Sequence, residues 1–117
     1  MIPRLIALGL LVGLCSCTVP PRRAPADLGD GFRRENHPAF TAEEQAIATA
    51  ARRCIEQRCG RKIDAYYRVR DAPNGYSVLV VEVYRYIGKE PRFTQNRDWA
   101  VDLKDDGTVL SVWHSGK

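Results

Sequence analysis

The run YSVLVVEVYRYI, residues 76–87, constrains the fold of this 117-residue chain more than any other stretch. Nine of its twelve residues are aliphatic or aromatic, and most are β-branched or aromatic, the types that suit a pleated surface. The run predicts one long strand. Leu79, Val81, Val83 and Ile87 then fall on one face, and Tyr76, Val78, Val80, Tyr84 and Tyr86 on the other. A strand apolar on both faces needs cover on both, and that demand shapes the rest of the reading.

Three further stretches supply neighbours. IDAYYRVRD, residues 63–71, runs into the turn signal Ala72-Pro73-Asn74-Gly75. WAVDLK and TVLSVWH flank Asp106-Gly107, a tight-hairpin signal. A two-residue turn there pairs Leu103 with Leu110, Val101 with Val112 and Trp99 with His114, which puts the aliphatic members on one face. A single helix is expected over FTAEEQAIATAARRCIEQRCG. Thr41 and Glu44 form a capping box, Glu43 and Glu44 suit the positive end of the dipole, and Gly60 is a natural stop. Ile47, Ala50, Ala51, Cys54 and Ile55 line its apolar face. The expected fold is α+β, one amphipathic helix on one face of a four-stranded antiparallel sheet.

The amino end carries an address. After Met1 to Arg4, residues 5–14 are apolar or Gly, the length of a secretory apolar region and too short for a membrane helix. Leu14-Cys15-Ser16 before Cys17 resembles the bacterial lipoprotein box, and Cys15 fits it poorly because Leu14 would stand next to the cut. The resemblance implies cleavage after residue 16, lipidation of Cys17, and several acyl chains that hold the protein permanently on a membrane. Thr18 in the following position favours the outer membrane, facing the periplasm. Residues 17–37, rich in Pro, Gly and charge, read as a disordered, lipid-anchored linker whose Arg22-Arg23 and Arg33-Arg34 either touch anionic head groups or keep it soluble. Residues 38–117 are then a single α+β domain.

Cys54 and Cys59 are the cysteines left for bonding after export. An oxidising compartment makes a disulfide the default. Positions five apart on a regular helix, however, have Cα atoms roughly 8–9 Å apart, beyond the ~7 Å a bridge tolerates. The helix must unwind near Gln57 or Arg58 for the bond to form; otherwise Cys54 packs as a small apolar residue and Cys59 stays free. No metal site with His37 or His114, and no redox pair, is favoured by the spacing.

One helix covers one face of the sheet. The other face is expected to keep an aromatic and aliphatic surface around Tyr84, Tyr86 and Trp113, joined by Tyr66, Arg68 and Arg70 if the first hairpin has a five-residue loop. Tyr, Trp and Arg are favoured at contact hot spots. The loop of residues 88–98, or a second copy of the chain, is the alternative cover.

The order helix, strand, turn, strand, then a hairpin ending in DDGTVLSVWHSGK resembles small cystatin-like or NTF2-like α+β proteins, in particular the short immunity-type NTF2-fold and PepSY-like envelope domains. The resemblance implies a fold and carries no functional residues. No nucleophile–histidine arrangement, metal spacing or phosphate-cradling glycine loop accompanies His37 and His114, so no enzyme, cofactor or metal is expected. The net charge of +4 is spread without a run longer than two, unlike a nucleic-acid footprint. The expected function is a non-catalytic envelope binding module (an inhibitor, immunity factor or accessory subunit) that takes an envelope protein or peptide on its sheet face. The alternatives are a homodimeric scaffold and a binder of a small envelope ligand at Arg68 and Arg70.

Overall fold

The computed structural model describes residues 28–94 and 96–116. The signal segment, Cys15, Cys17 and the first part of the linker lie outside the described residues. Helix α1 spans Ala42–Cys59. Its capping box forms in both directions: the Glu44 N–H donates to Thr41 Oγ1 at 3.0 Å and the Thr41 N–H to Glu44 Oε1 at 2.8 Å. Gly60 closes the helix at φ 73°, its N–H reaching Glu56 O at 2.8 Å. Ile47, Ala48, Ala51 and Ile55 are buried, while Ala50 packs only partly against the core. The small side chains let the helix lie close to the sheet beneath it.

Strands β1 (Ala65–Ala72), β2 (Gly75–Glu82), β5 (Asp98–Lys104) and β6 (Val109–His114) form one antiparallel sheet in the order β1-β2-β5-β6. The α+β class and the helix-on-four-strands arrangement are as expected. Tyr67, Val78, Val80, Trp99, Val101 and Leu103 meet the helix in a single core. The long strand does not run to residue 87. It stops at Glu82, and β3 (Arg85–Ile87) turns back on β4 (Glu90–Arg92) in a separate two-stranded sheet. The Tyr84 N–H donates to Arg92 O, so the chain changes ladder partner within two residues of Glu82. The cause is local: β1 begins only at Ala65, opposite Glu82, and Gly88 at φ 63° lets the chain supply its own partner.

The first hairpin has a two-residue loop, Pro73-Asn74, with Ala72 opposite Gly75, so the five-residue loop that would place Tyr66, Arg68 and Arg70 on the face of Tyr84 and Tyr86 does not form. Tyr66, Arg68 and Ser77 therefore share a face with Leu79 and Val81, and it is the Tyr76–Val78–Val80 face that the helix covers. Gly75 belongs to the strand for a packing reason. A Cβ there would lie 2.0 Å from Leu103 O on the neighbouring strand.

At the second hairpin Val101 meets Val112 and Trp99 meets His114, as expected, but Leu103 meets Val109 instead of Leu110. Gly107 at φ 90° closes a three-residue turn on Lys104 and Thr108, and an irregularity beside Leu103 makes Leu110 the extra residue. The odd loop and the bulge offset each other, which restores the inner register. Leu110 is left 56% exposed.

Candidate interaction surface

The face of the sheet away from the helix is built from cross-strand rows. One row runs Arg68, Leu79, Ala100 and Trp113; a second runs Tyr66, Val81 and Asp98; a third runs Arg70, Ser77, Asp102 and Ser111. Ser111 Oγ donates to Asp102 Oδ2 at 3.0 Å, which ties the third row at its far end.

The chain covers the β1 side of this face itself. Residues 28–37, assigned by composition to the linker, pack on the domain: Arg33 and Tyr67 exchange main-chain bonds of 2.8 and 2.7 Å along the outer edge of β1. Leu28 and Phe32 border a 190 Å³ hollow over Leu79 and Val81, and the Arg68 guanidinium lies 5.1 Å from the Phe32 ring. Burial, and next the charge of Arg70, lower the Arg68 pKa, and its Nε has no hydrogen-bond partner among the described residues. Phe93, fully buried, stands edge-on to Tyr66 at 5.4 Å, so part of the 88–98 loop is indeed a cover. Composition hid these roles; Leu28, Phe32 and Phe93 are single apolar residues in polar surroundings.

The predicted contact residues do not form one patch. Arg34 bonds Asp64, the Ala65 carbonyl at 3.2 Å and Tyr86 Oη at 2.8 Å, and stacks 4.9 Å over Tyr66; Tyr86 in turn donates to Asp64. Tyr66 and Tyr86 thus meet through Arg34, in a clasp that fixes the amino-terminal segment. Tyr84 lies under the Arg97 guanidinium at 5.4 Å. Arg70 is exposed in β1. Trp113, 59% exposed, sits on β6, the opposite edge of the sheet, about 14 Å from β1 at the usual strand spacing.

β6 is the last strand of the sheet, and a second hollow opens on its helix side, at the end of α1. Trp99 and His114 stack at 3.9 Å, and with Arg58, Cys59, Arg61 and Trp113 they border a cavity of about 480 Å³. Beneath it Glu82, 2% exposed, accepts from Trp99 Nε1 at 2.7 Å and pairs with Arg61 at 2.9 Å. The signal for this buried acid was its isolation in an apolar run. Cys54 and Cys59 are free, and the expected disulfide is absent because α1 runs regularly through both positions.

Between the amino-terminal segment and the helix, Glu35 accepts from Thr49 and from Arg52 Nε, and Arg52 also donates to Glu56 at 2.9 Å. Glu56 accepts the Ile63 N–H as well, and that bond is the main reason its pKa falls below the ordinary 4.5. A lowered carboxylate pKa makes the unfolded state take up the proton first as pH falls. The stabilisation is therefore complete above pH 4.5 and is lost as acid reaches the folded pKa. Glu56→Gln is expected to flatten the fall in urea midpoint below pH 4.5; an unchanged slope would assign that fall to other acids.

Among the described residues no group of three metal-ligating side chains occurs, and no helix is long and apolar enough to cross a membrane. Comparison of the chain with protein-family models, curated proteins and solved structures finds no match.

Proposed function

We propose that the chain is a lipoprotein of a bacterial cell envelope, anchored through Cys17, whose domain is a non-catalytic binding module. The observation that carries the binding reading is Trp113, the most exposed of the large apolar side chains among the described residues at 59%, on a side of the sheet that the described segments leave open. A large exposed aromatic beside an apolar row is the composition of a contact hot spot. The anchoring reading rests on Leu14-Cys15-Ser16-Cys17 and the short apolar run before it. The cystatin-like or NTF2-like assignment of the fold is part of this proposal, supported by the element order alone.

Of the expected anchors Tyr84, Tyr86 and Trp113, this reading keeps Trp113, on the β6 side. A photoreactive residue at position 111 should cross-link an envelope partner in intact cells, and Trp113→Ser should abolish the adduct while Tyr86→Ser retains it. Cross-linking that survives Trp113→Ser would refute this placement. Labelled palmitate should enter the wild-type protein and fail to enter Cys17→Ser. A second reading, a small anionic ligand in the hollow beside Arg68, draws on the unpartnered Arg68 Nε. Thermal stabilisation by a fatty acid that Arg68→Gln removes would favour it.

A further inference from the structure

We infer that the partner engages as an extended segment, adding a strand to β6 and dropping an apolar side chain, flanked by an acidic one, into the cavity at the end of α1. This inference rests on the binding reading above and names its partner class.

The first observation is a free sheet edge. β6 is the last strand of the order, and among the described residues nothing pairs with its outer side. The Ser115 N–H donates to Asp98 O at 2.9 Å, which makes that pair a hydrogen-bonded one. In an antiparallel ladder such pairs alternate. Trp113 and Ser111 are therefore turned toward β5, whereas Val112 and His114 direct both main-chain groups outward. The bulge at Leu110 bends the strand beyond this point, so the edge offers a short ladder at residues 112–114. The other edge of the sheet is already occupied by Arg33.

The second observation is the cavity beside that same edge. A strand added to β6 would run ~4.8 Å from it, and every second side chain would point to the helix side. There it meets Trp99, Val112 and His114 at the bottom and Arg58 and Arg61 at the rim. No acidic side chain borders the cavity. Arg58 has no ion pair among the described residues, and Arg61, 51% exposed, keeps part of its guanidinium toward solvent while holding Glu82. An apolar residue at one position and a carboxylate two positions away satisfy both features, in the manner of strand-addition complexes whose pockets read alternate side chains. A second copy paired about a two-fold axis at Val112 fits less well, because it would bring Arg58 and Arg61 of both copies to one seam.

The test is selection of a random twelve-residue display library against the full chain in lipid nanodiscs, followed by hydrogen exchange with the enriched peptides. Enriched sequences should share β-forming alternation, one large apolar residue and an acid two positions from it, and should slow exchange in 109–114. Arg58→Glu, an exposed change, should weaken those peptides about tenfold and shift selection toward basic flanks. Val112→Pro removes an outward N–H together with a side chain that packs against the core, and should abolish binding, whereas Val112→Ala, which keeps that N–H, should retain it. No enrichment, enrichment without the pattern, or unchanged exchange in 109–114 would overturn the inference. So would a dimer with 109–114 already protected before peptide is added. The binding reading fails separately, if position 111 cross-links nothing in cells.

Discussion

Phe93→Ala is expected to destabilise the domain by about 3–5 kcal/mol, the usual range for emptying a buried aromatic site. Phe93 is fully buried although it lies outside the main core, and its ring is the edge-on neighbour of Tyr66. Pro91 and Thr94, on either side, are buried as well, so the segment is seated as a unit. A small domain has on the order of 5–15 kcal/mol in total, and the loss removes a large part of it. Urea denaturation should show a much lower midpoint. Phe93→Leu, which refills most of the volume, should recover most of the loss. A midpoint shift below about 1 kcal/mol for Phe93→Ala would mean that the loop is not a fixed cover of the sheet.

Glu82→Ala is expected to cost about 3 kcal/mol, the lower end of the range for breaking a buried ion pair, because the Arg61 partner is half solvated. The loss has an identifiable origin. Trp99, 5% exposed, would keep a buried indole N–H with no acceptor in place of the 2.7 Å bond to Glu82. Glu82→Gln retains an acceptor for that N–H and should lose markedly less. The measurement is the difference between the two variants. Equal losses would assign the effect to charge pairing with Arg61 and Arg97 rather than to the indole bond.

The helix was legible because its signals are local: Thr41, Glu44 and Gly60 act within one turn of where they stand. The sheet was legible in its elements and less so in its faces. Gly75 reads as a turn residue, yet it is a strand residue that must lack a side chain because Leu103 O lies where its Cβ would be. Taking it into the loop changes the loop by an odd number of residues, and every side chain of the first strand then swaps face. With a five-residue loop Tyr66, Arg68 and Arg70 would lie with Tyr76 and Val78; with the two-residue loop they lie with Leu79 and Val81. The second hairpin was more forgiving, since a three-residue turn and a bulge together preserve the parity of the strand below.

The candidate site was legible only at Trp113. Its companions Arg58, Arg61 and His114 come from the helix end, the following turn and the last strand, so no spacing in the chain links them. Tyr84 and Tyr86 look like contact residues from composition, but a cation over the ring and a clasp with Arg34 and Asp64 engage them locally.

The pairing of Arg33 with Tyr67 fixes the point at which the leading segment joins the domain, as well as covering an edge. The chain comes onto the sheet at β1, the strand farthest from β6. Only ten residues separate Cys17 from Leu28, a span of at most about 40 Å when fully extended. If Cys17 is the anchor, as proposed, the leash meets the domain at its β1 side, and the β6 side is free to face away from the bilayer.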